Sequence, residues 1–180
     1  EGVFDLGVHP PVVHAQNSAS YMRDGLFNNH SHVRLGIGLY GSKPFESLDS
    51  KDFIQSVSVT APIVQIRQLK AGESLGYSKA FTATEDCKVA IVDIGYGDGI
   101  LRERIKHGCE IGGRSYEIVA LMMSHMAVLV DDHVKTHMPV YLYGKSQRID
   151  HFTALGVGAN SEQLGAFNYN SMRREIIYDD

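Results

Sequence analysis

The run Val33–Gly41, VRLGIGLYG, sets an arginine, two glycines that each follow an apolar residue, and a Tyr-Gly exit side by side. Its first half, HVRLGIGL, alternates as a strand does, and glycines in such a strand let another backbone or a ligand phosphate approach closely. Read alone, the run is a buried strand that turns at Gly41, and Arg34 within it is a salt-bridged structural residue. Other residues have equally plain readings. Ser18 suits a helix cap, His14 a satisfied core histidine, Tyr77 a tyrosine beside a hairpin turn, Met123 core filler and Arg102 a surface charge. His30 and His32 straddle a serine as a metal pair would, but no third ligand is indicated, and a solvated turn accounts for them.

The elements that position these residues have two textures. Pro10–Ala15 predicts a short buried strand, and Ser18–Phe27 a helix with Ser18 or Ser20 near its start and Gly25 near its end. With strand HVRLGIGL these make one βαβ unit, the repeat of a parallel barrel or sheet. From Phe53 onward the chain is β-rich: Val57–Leu69, Ala80–Thr84, Cys87–Ile94, Cys109–Ile111, Tyr116–Met122, Ala127–Val130 and Pro139–Tyr143. Turn-forming pairs such as Gly112-Gly113 and Asp131-Asp132 bound them, which predicts an antiparallel β-domain. Val57, Val59, Ala61 and Ile63 keep one alternation while Val64 and Ile66 keep the other, so a bulge is expected near Pro62. Ser161–Phe167 predicts a helix capped by Asn160, and Asn168–Tyr178 a return as extended chain. The textures change around Ser42–Phe53.

With 180 residues and 43% hydrophobic composition the chain can bury a core, and a net charge of −4 argues against a nucleic-acid or membrane surface. No apolar run approaches the ~18–20 residues of a membrane span. The opening EGVFDLGVHP lacks the parts of a signal peptide, so a cytosolic chain is expected. Val3, Phe4, Leu6 and Val8 lead directly into PVVHA without a starting cap, as in a piece of something longer. Cys87 and Cys109 have no metal or redox spacing and are expected as free thiols.

Taken together, His14-Ala15-Gln16-Asn17-Ser18-Ala19, the VRLGIGLYG run, Gly72-Glu73-Ser74-Leu75-Gly76-Tyr77 with Phe81-Thr82-Ala83, Ile94-Gly95-Tyr96-Gly97-Asp98-Gly99, Leu121-Met122-Met123-Ser124 and Phe167-Asn168-Tyr169 form an ordered set. In order and spacing it resembles the C-terminal half of the alanine racemases, pyridoxal-phosphate enzymes of fold-type III. The resemblance runs from about His14 to about Tyr169 and implies a mainly β fold. Residues 1–41 would be the last strands of a cofactor-binding (β/α)8 barrel with their intervening helix, and 42–180 the antiparallel C-terminal β-domain. The first six barrel strands and the Schiff-base lysine have no counterpart in this sequence.

The resemblance also implies roles. A cofactor phosphate needs several donors, which backbone N–H groups of a glycine turn and nearby hydroxyls supply; the family's binders map onto Ser18, Gly36, Ile37 and Tyr169. Arg34 would donate to an unprotonated pyridine nitrogen, weakening the electron sink and favouring racemisation over transamination. His14 matches a histidine that hydrogen-bonds this arginine. Tyr77 would be the catalytic base opposite the lysine, reaching into the partner subunit of a homodimer. A free phenol has a pKa near ~10, so cationic or hydrogen-bonding neighbours must lower it. Tyr96 and Met123 match residues that line the substrate's approach and hold its carboxylate, Met123 through its N–H, and Arg102 a channel arginine.

The sequence departs from the family where Cys-Met-Asp-Gln is usual and Met122-Met123-Ser124-His125 stands, and again where Ile100 and Leu101 replace Tyr-Pro. The expected activity is interconversion of L- and D-alanine by two bases, with D-alanine for peptidoglycan. The alternatives are a racemase for serine or another amino acid, or a non-catalytic binding or dimerisation fragment; the 180-residue chain alone is expected to be inactive. No metal, nucleic acid or membrane partner is expected.

Overall fold

The computed structural model describes residues 2–178 and divides into two compact units between Ile54 and Gln55. In the second unit six strands close into an antiparallel barrel: β1 (Val59–Leu69), β4 (Cys87–Val92), β7 (Met126–Val130), β6 (Arg114–Leu121), β5 (Gly108–Ile111) and β8 (Pro139–Tyr143), with β8 pairing back onto β1. Closure leaves the barrel strands no unpaired edge. One strand makes this closure possible. The first part of β1, through Pro62, pairs with β8, and the remainder pairs with β4. The register shifts between Ile63 and Gln65, which places the expected bulge at Val64, just past Pro62. Val59, Ala61 and Ile63 point inward, exposed Val64 is the extra residue, and alternation resumes in the opposite phase at Ile66.

The inward residues of every strand, among them Ile63, Val92, Ile111, Ile118, Met126, Val128, Val140 and Leu142, form one interior cluster. Helices α3 (Ile149–Ala154) and α4 (Asn160–Ala166) add Ile149, Phe152 and other side chains to it. The sequence reading missed α3, a six-residue helix too short for a helical period to show. It also placed the start of α4 one residue late. Ala159 precedes the helix, its N–H donating to the Glu162 carboxylate at 3.2 Å, while Asn160 is buried and accepts from the Thr153 hydroxyl at 2.6 Å. Residues 168–172 turn back on themselves rather than extending.

A second, smaller cluster lies on the outward faces of the same strands, around Leu69, Val89, Val119, Ala120 and Ala127. It is covered by a two-stranded hairpin, β2 (Ser74–Leu75) and β3 (Phe81–Thr82), through Leu75 and Phe81. Small residues on the barrel wall let the hairpin lie close, since a Cβ on Gly76 would meet Ala120 Cβ at 3.4 Å.

The first unit holds helices α1 (Gly2–Asp5) and α2 (Ser18–Asp24). Asn17 caps α2 by accepting from Ser20 N at 3.0 Å, so neither serine caps it; Gly25, with φ 69°, ends it before Phe27. The expected strands are absent. Residues 10–15 are irregular and mostly exposed, and pairing is confined to one parallel bridge, Asn17 with Arg34, supported by Arg34 N donating to Gln16 O at 2.8 Å. The buried residues described in this unit are Gln16, Ser18, Gly41 and Ser42, none with an apolar side chain. Parallel strands hold their shape when both faces are covered, and here neither face is.

Candidate functional site

In the first unit, freedom from capping turns the Ser18 hydroxyl toward the glycine run. Buried Ser18 accepts from Gly36 N at 3.0 Å and from Gly38 N at 3.4 Å. The chain bends around this oxygen, and Ile37–Tyr40 winds into a 3-10 turn closed by left-handed Gly41, where the sequence pattern predicts a strand. A Cβ at position 38 would displace only the flexible end of Met22 and lie in ordinary contact with Ser18. The result brings the Ser18 hydroxyl and the backbone of Gly36 and Ile37 into one turn, with the Gly36 N–H engaged by the Ser18 oxygen. Arg34 is exposed and donates through Nη2 to Ala15 O at 2.9 Å. Exposed His14 stands next to that carbonyl, but among the described residues no hydrogen bond joins it to Arg34.

In the second unit Tyr77 stands at the tip of the β2–β3 hairpin, 65% exposed, opening a 3-10 turn over Tyr77–Lys79. The following residues Ser78 and Lys79 are both left-handed, with φ of 53° and 56°. Non-glycine residues rarely adopt this conformation, and it persists when surrounding packing imposes it. The Leu75 and Phe81 anchors and the contact of Gly76 with Ala120 supply that packing. The phenol is thus directed away from both hydrophobic clusters.

Tyr96, Arg102, Met123 and the segment bearing Tyr169 are tied to one another. Tyr96 N donates to Met122 O at 3.0 Å and Gly97 N to Met123 O at 2.8 Å. A Cβ at Gly95 would collide with the Met122 and Met123 carbonyls, so glycine there permits the contact. The Arg102 guanidinium lies over the Tyr96 ring at 4.1 Å. Asn168 N donates to Asp98 O at 2.9 Å and its side-chain amide to Gly97 O at 3.1 Å, docking residues 167–169 on the same turn. Exposed Tyr169 donates to Leu164 O at 3.5 Å, with Arg174 over its ring at 5.4 Å. Met123 is 56% exposed, not core filler, and its N–H has no hydrogen-bond partner among the described residues. Strand β6, under the Tyr77 hairpin, runs directly into this loop.

Beneath it lies a residue that the sequence reading missed. Arg104 is fully buried in the barrel, donating to Leu142 O at 3.2 Å and Gly108 O at 2.9 Å, with its guanidinium 3.4 Å from the Phe152 ring centre and 4.9 Å from that of Tyr143. Burial lowers its affinity for the proton and raises those of the Tyr143 phenol and the Cys109 thiol, the latter up to about 12. Arg102 and Arg104 share one 3-10 turn, so anchoring one inside fixes the other outside. Of this Arg-Glu-Arg run the sequence reading singles out only Arg102. Gln16 was missed likewise; its amide donates to Gly25 O at 2.7 Å and accepts from Phe27 N at 2.9 Å, tying down the end of α2. Cys87 and Cys109 are both free, and among the described residues no three His, Cys, Asp or Glu gather as a metal site.

A closed antiparallel barrel with an outer hairpin presenting a tyrosine, beside a loop held on a glycine-rich turn, defines a β-domain of distinct type. The family profile described as "Alanine racemase, C-terminal domain" matches residues 56–174, and the chain belongs to the alanine racemase family. It is 50% identical over 183 aligned positions to "Alanine racemase 2" of Staphylococcus aureus (strain Mu50), covering all of this chain and 51% of that protein. To "Alanine racemase" of Staphylococcus epidermidis (strain ATCC 35984) it is 36% identical over 89% of this chain and 42% of that one. The biosynthetic alanine racemase structure from Pseudomonas aeruginosa superposes with a TM-score of 0.81 at 26% identity, over 96% of this chain and 49% of that one. The structure from Acinetobacter baumannii gives 0.77 at 30% identity, over 88% and 46%. The chain spans about half the length of the curated relatives it matches.

Proposed function

We propose that this chain works as the C-terminal half of a pyridoxal-phosphate-dependent alanine racemase that interconverts L- and D-alanine with two bases, supplying D-alanine for peptidoglycan. In this reading residues 1–41 complete a cofactor-binding (β/α)8 barrel and 42–180 form the β-domain. The exposed apolar Val12, Leu26, Leu35 and Leu39 of the first unit would then be covered by the barrel's other strands and helices. The enzyme is cytoplasmic and homodimeric, with Tyr77 serving the partner's site.

Tyr77 carries the proposal: a phenol held out from the barrel on a packed hairpin whose next two residues are left-handed. In L-to-D conversion its oxygen takes the substrate Cα proton from one face while a lysine of the barrel gives a proton to the other face, and in the reverse direction the two exchange roles. Bound pyridoxal phosphate supplies the electron withdrawal that acidifies that Cα–H. By the family resemblance, Ser18, the amides of Gly36 and Ile37, and Tyr169 would hold the phosphate. Arg34, with His14 as its supporting residue, would donate to the ring nitrogen, which a guanidinium would leave unprotonated. The Met123 N–H takes the substrate carboxylate, and Tyr96 with Arg102 over its ring lines the approach.

The test is Tyr77→Phe in the holoenzyme. L-to-D conversion should fall by about 100-fold to 10,000-fold, while exchange of the Cα hydrogen of D-alanine with solvent survives in part. Equal loss of exchange from both enantiomers counts against Tyr77 as the base of one face.

A further inference from the structure

The 3-10 turn Arg102–Arg104 has little to hold it from within. Arg104 N donates to Leu101 O at 3.0 Å and Ile105 N to Arg102 O at 3.2 Å, and no side chain caps its start. A single turn of this kind has poor hydrogen-bond geometry and takes its shape from its surroundings. Leu101, which leads into it, has φ −65°, an angle that a proline ring would lock but a leucine is free to leave. Lys106, just beyond it, is left-handed with φ 74°, a conformation that packing has to impose.

The outward side of the turn supplies no such packing. Arg102 is exposed, its guanidinium rests over the Tyr96 ring at 4.1 Å, and among the described residues it has neither an ion pair nor a hydrogen bond. An exposed stacking contact of this kind is weak. The inward side is different. Arg104 donates to Leu142 O on β8 and to Gly108 O on β5, and lies 3.4 Å from the Phe152 ring centre of α3, so one side chain pins the turn to three elements. No carboxylate is paired with it among the described residues. An apolar side chain of similar volume would fill the same space at no cost in buried charge, so what the guanidinium adds is placement.

We propose that Arg104 is a positioning residue for substrate binding: it fixes the turn so that Arg102 stays over Tyr96 with its charge free for the carboxylate of the incoming amino acid. The proposal rests on the racemase reading, in which Arg102 and Tyr96 line the substrate's approach. With the turn loosened, Arg102 must be ordered again each time a substrate arrives, which weakens binding and leaves the proton transfers at Tyr77 untouched.

The experiment measures KM and kcat for L-alanine in the holoenzyme, with urea midpoints alongside. Arg104→Met should raise KM about threefold to tenfold with kcat within about twofold of wild type. Arg104→Lys keeps the charge but cannot span both carbonyls, and should do the same should the methionine variant fold poorly. Arg102→Ala should raise KM as well, and adding Arg104→Met to it should raise KM no further. Leu101→Pro placed in the Arg104→Met protein should bring KM back toward wild type, since the ring locks the φ already present and Leu101 N has no hydrogen-bond partner among the described residues to lose. An unchanged KM in both Arg104 variants, effects that multiply in the double variant, or no recovery with Leu101→Pro overturns the assignment. A wild-type holoenzyme that does not racemise L-alanine would instead sink the racemase reading and the proposal with it.

Discussion

At the scale of single residues, the interior of the barrel is where side-chain chemistry and stability meet. Arg104 is buried with two backbone carbonyls and two rings as its surroundings, and its Nε and the Tyr143 hydroxyl are buried without a hydrogen-bond partner among the described residues. Arg104→Ala strips two carbonyls of their donor and leaves a void against Phe152. It should cost about 2–4 kcal/mol, read as a fall in the urea midpoint. Arg104→Met fills the void without importing a charge and should cost about 1 kcal/mol or less. The buried thiol predicts a pH effect. Burial holds Cys109 protonated up to about 12, whereas an unfolded thiol ionises near ~8.5, so the folded state binds this proton more tightly. Stability from this group is complete below about pH 8.5 and is lost as pH rises toward about 12. Urea midpoints should therefore decline between pH 8 and pH 10.5, less steeply in Cys109→Ala. Tyr143, also raised by burial, acts in the same direction.

Elements are joined in this molecule by backbones that come unusually close. Gly99 has a φ of 98°, and a Cβ there would run into the Ala166 carbonyl at the end of α4. Gly99→Ala should destabilise the protein by more than about 2 kcal/mol and release residues 167–169 from the 95–99 turn, visible as lost amide-exchange protection around Asn168. The hairpin makes the opposite prediction. Ser78 is left-handed at a cost of about 1 kcal/mol, so Ser78→Gly should leave the melting temperature unchanged or raise it by a few degrees. If the left-handed pair helps to aim Tyr77, the same variant should lower kcat.

For the whole molecule, the two units differ in how they are held. The second has a continuous apolar interior, whereas the first buries Gln16, Ser18, Gly41 and Ser42 and no apolar side chain among its described residues. Hydrogen exchange on the 180-residue chain should show amides of residues 8–40 exchanging within minutes, and those of β4, β6 and β7 protected at least a thousandfold longer. Uniform protection across both units would contradict this account.

What the sequence alone determined was local and periodic. Alternation and turn residues located all six barrel strands to within a few positions, since a half-buried strand must repeat every two residues. The phase change around Pro62 announced the bulge for the same reason, and the ordered motifs indicated the family. The tertiary structure decided what no window of sequence contains. It closed β8 onto β1, buried Arg104 inside the barrel, and brought Asp93 across from His125 through register. It also reversed the reading of VRLGIGLYG, whose pattern fits a strand but which winds around the Ser18 hydroxyl instead. A strand needs a partner for its backbone and cover for its faces, and both are properties of neighbours distant in the chain.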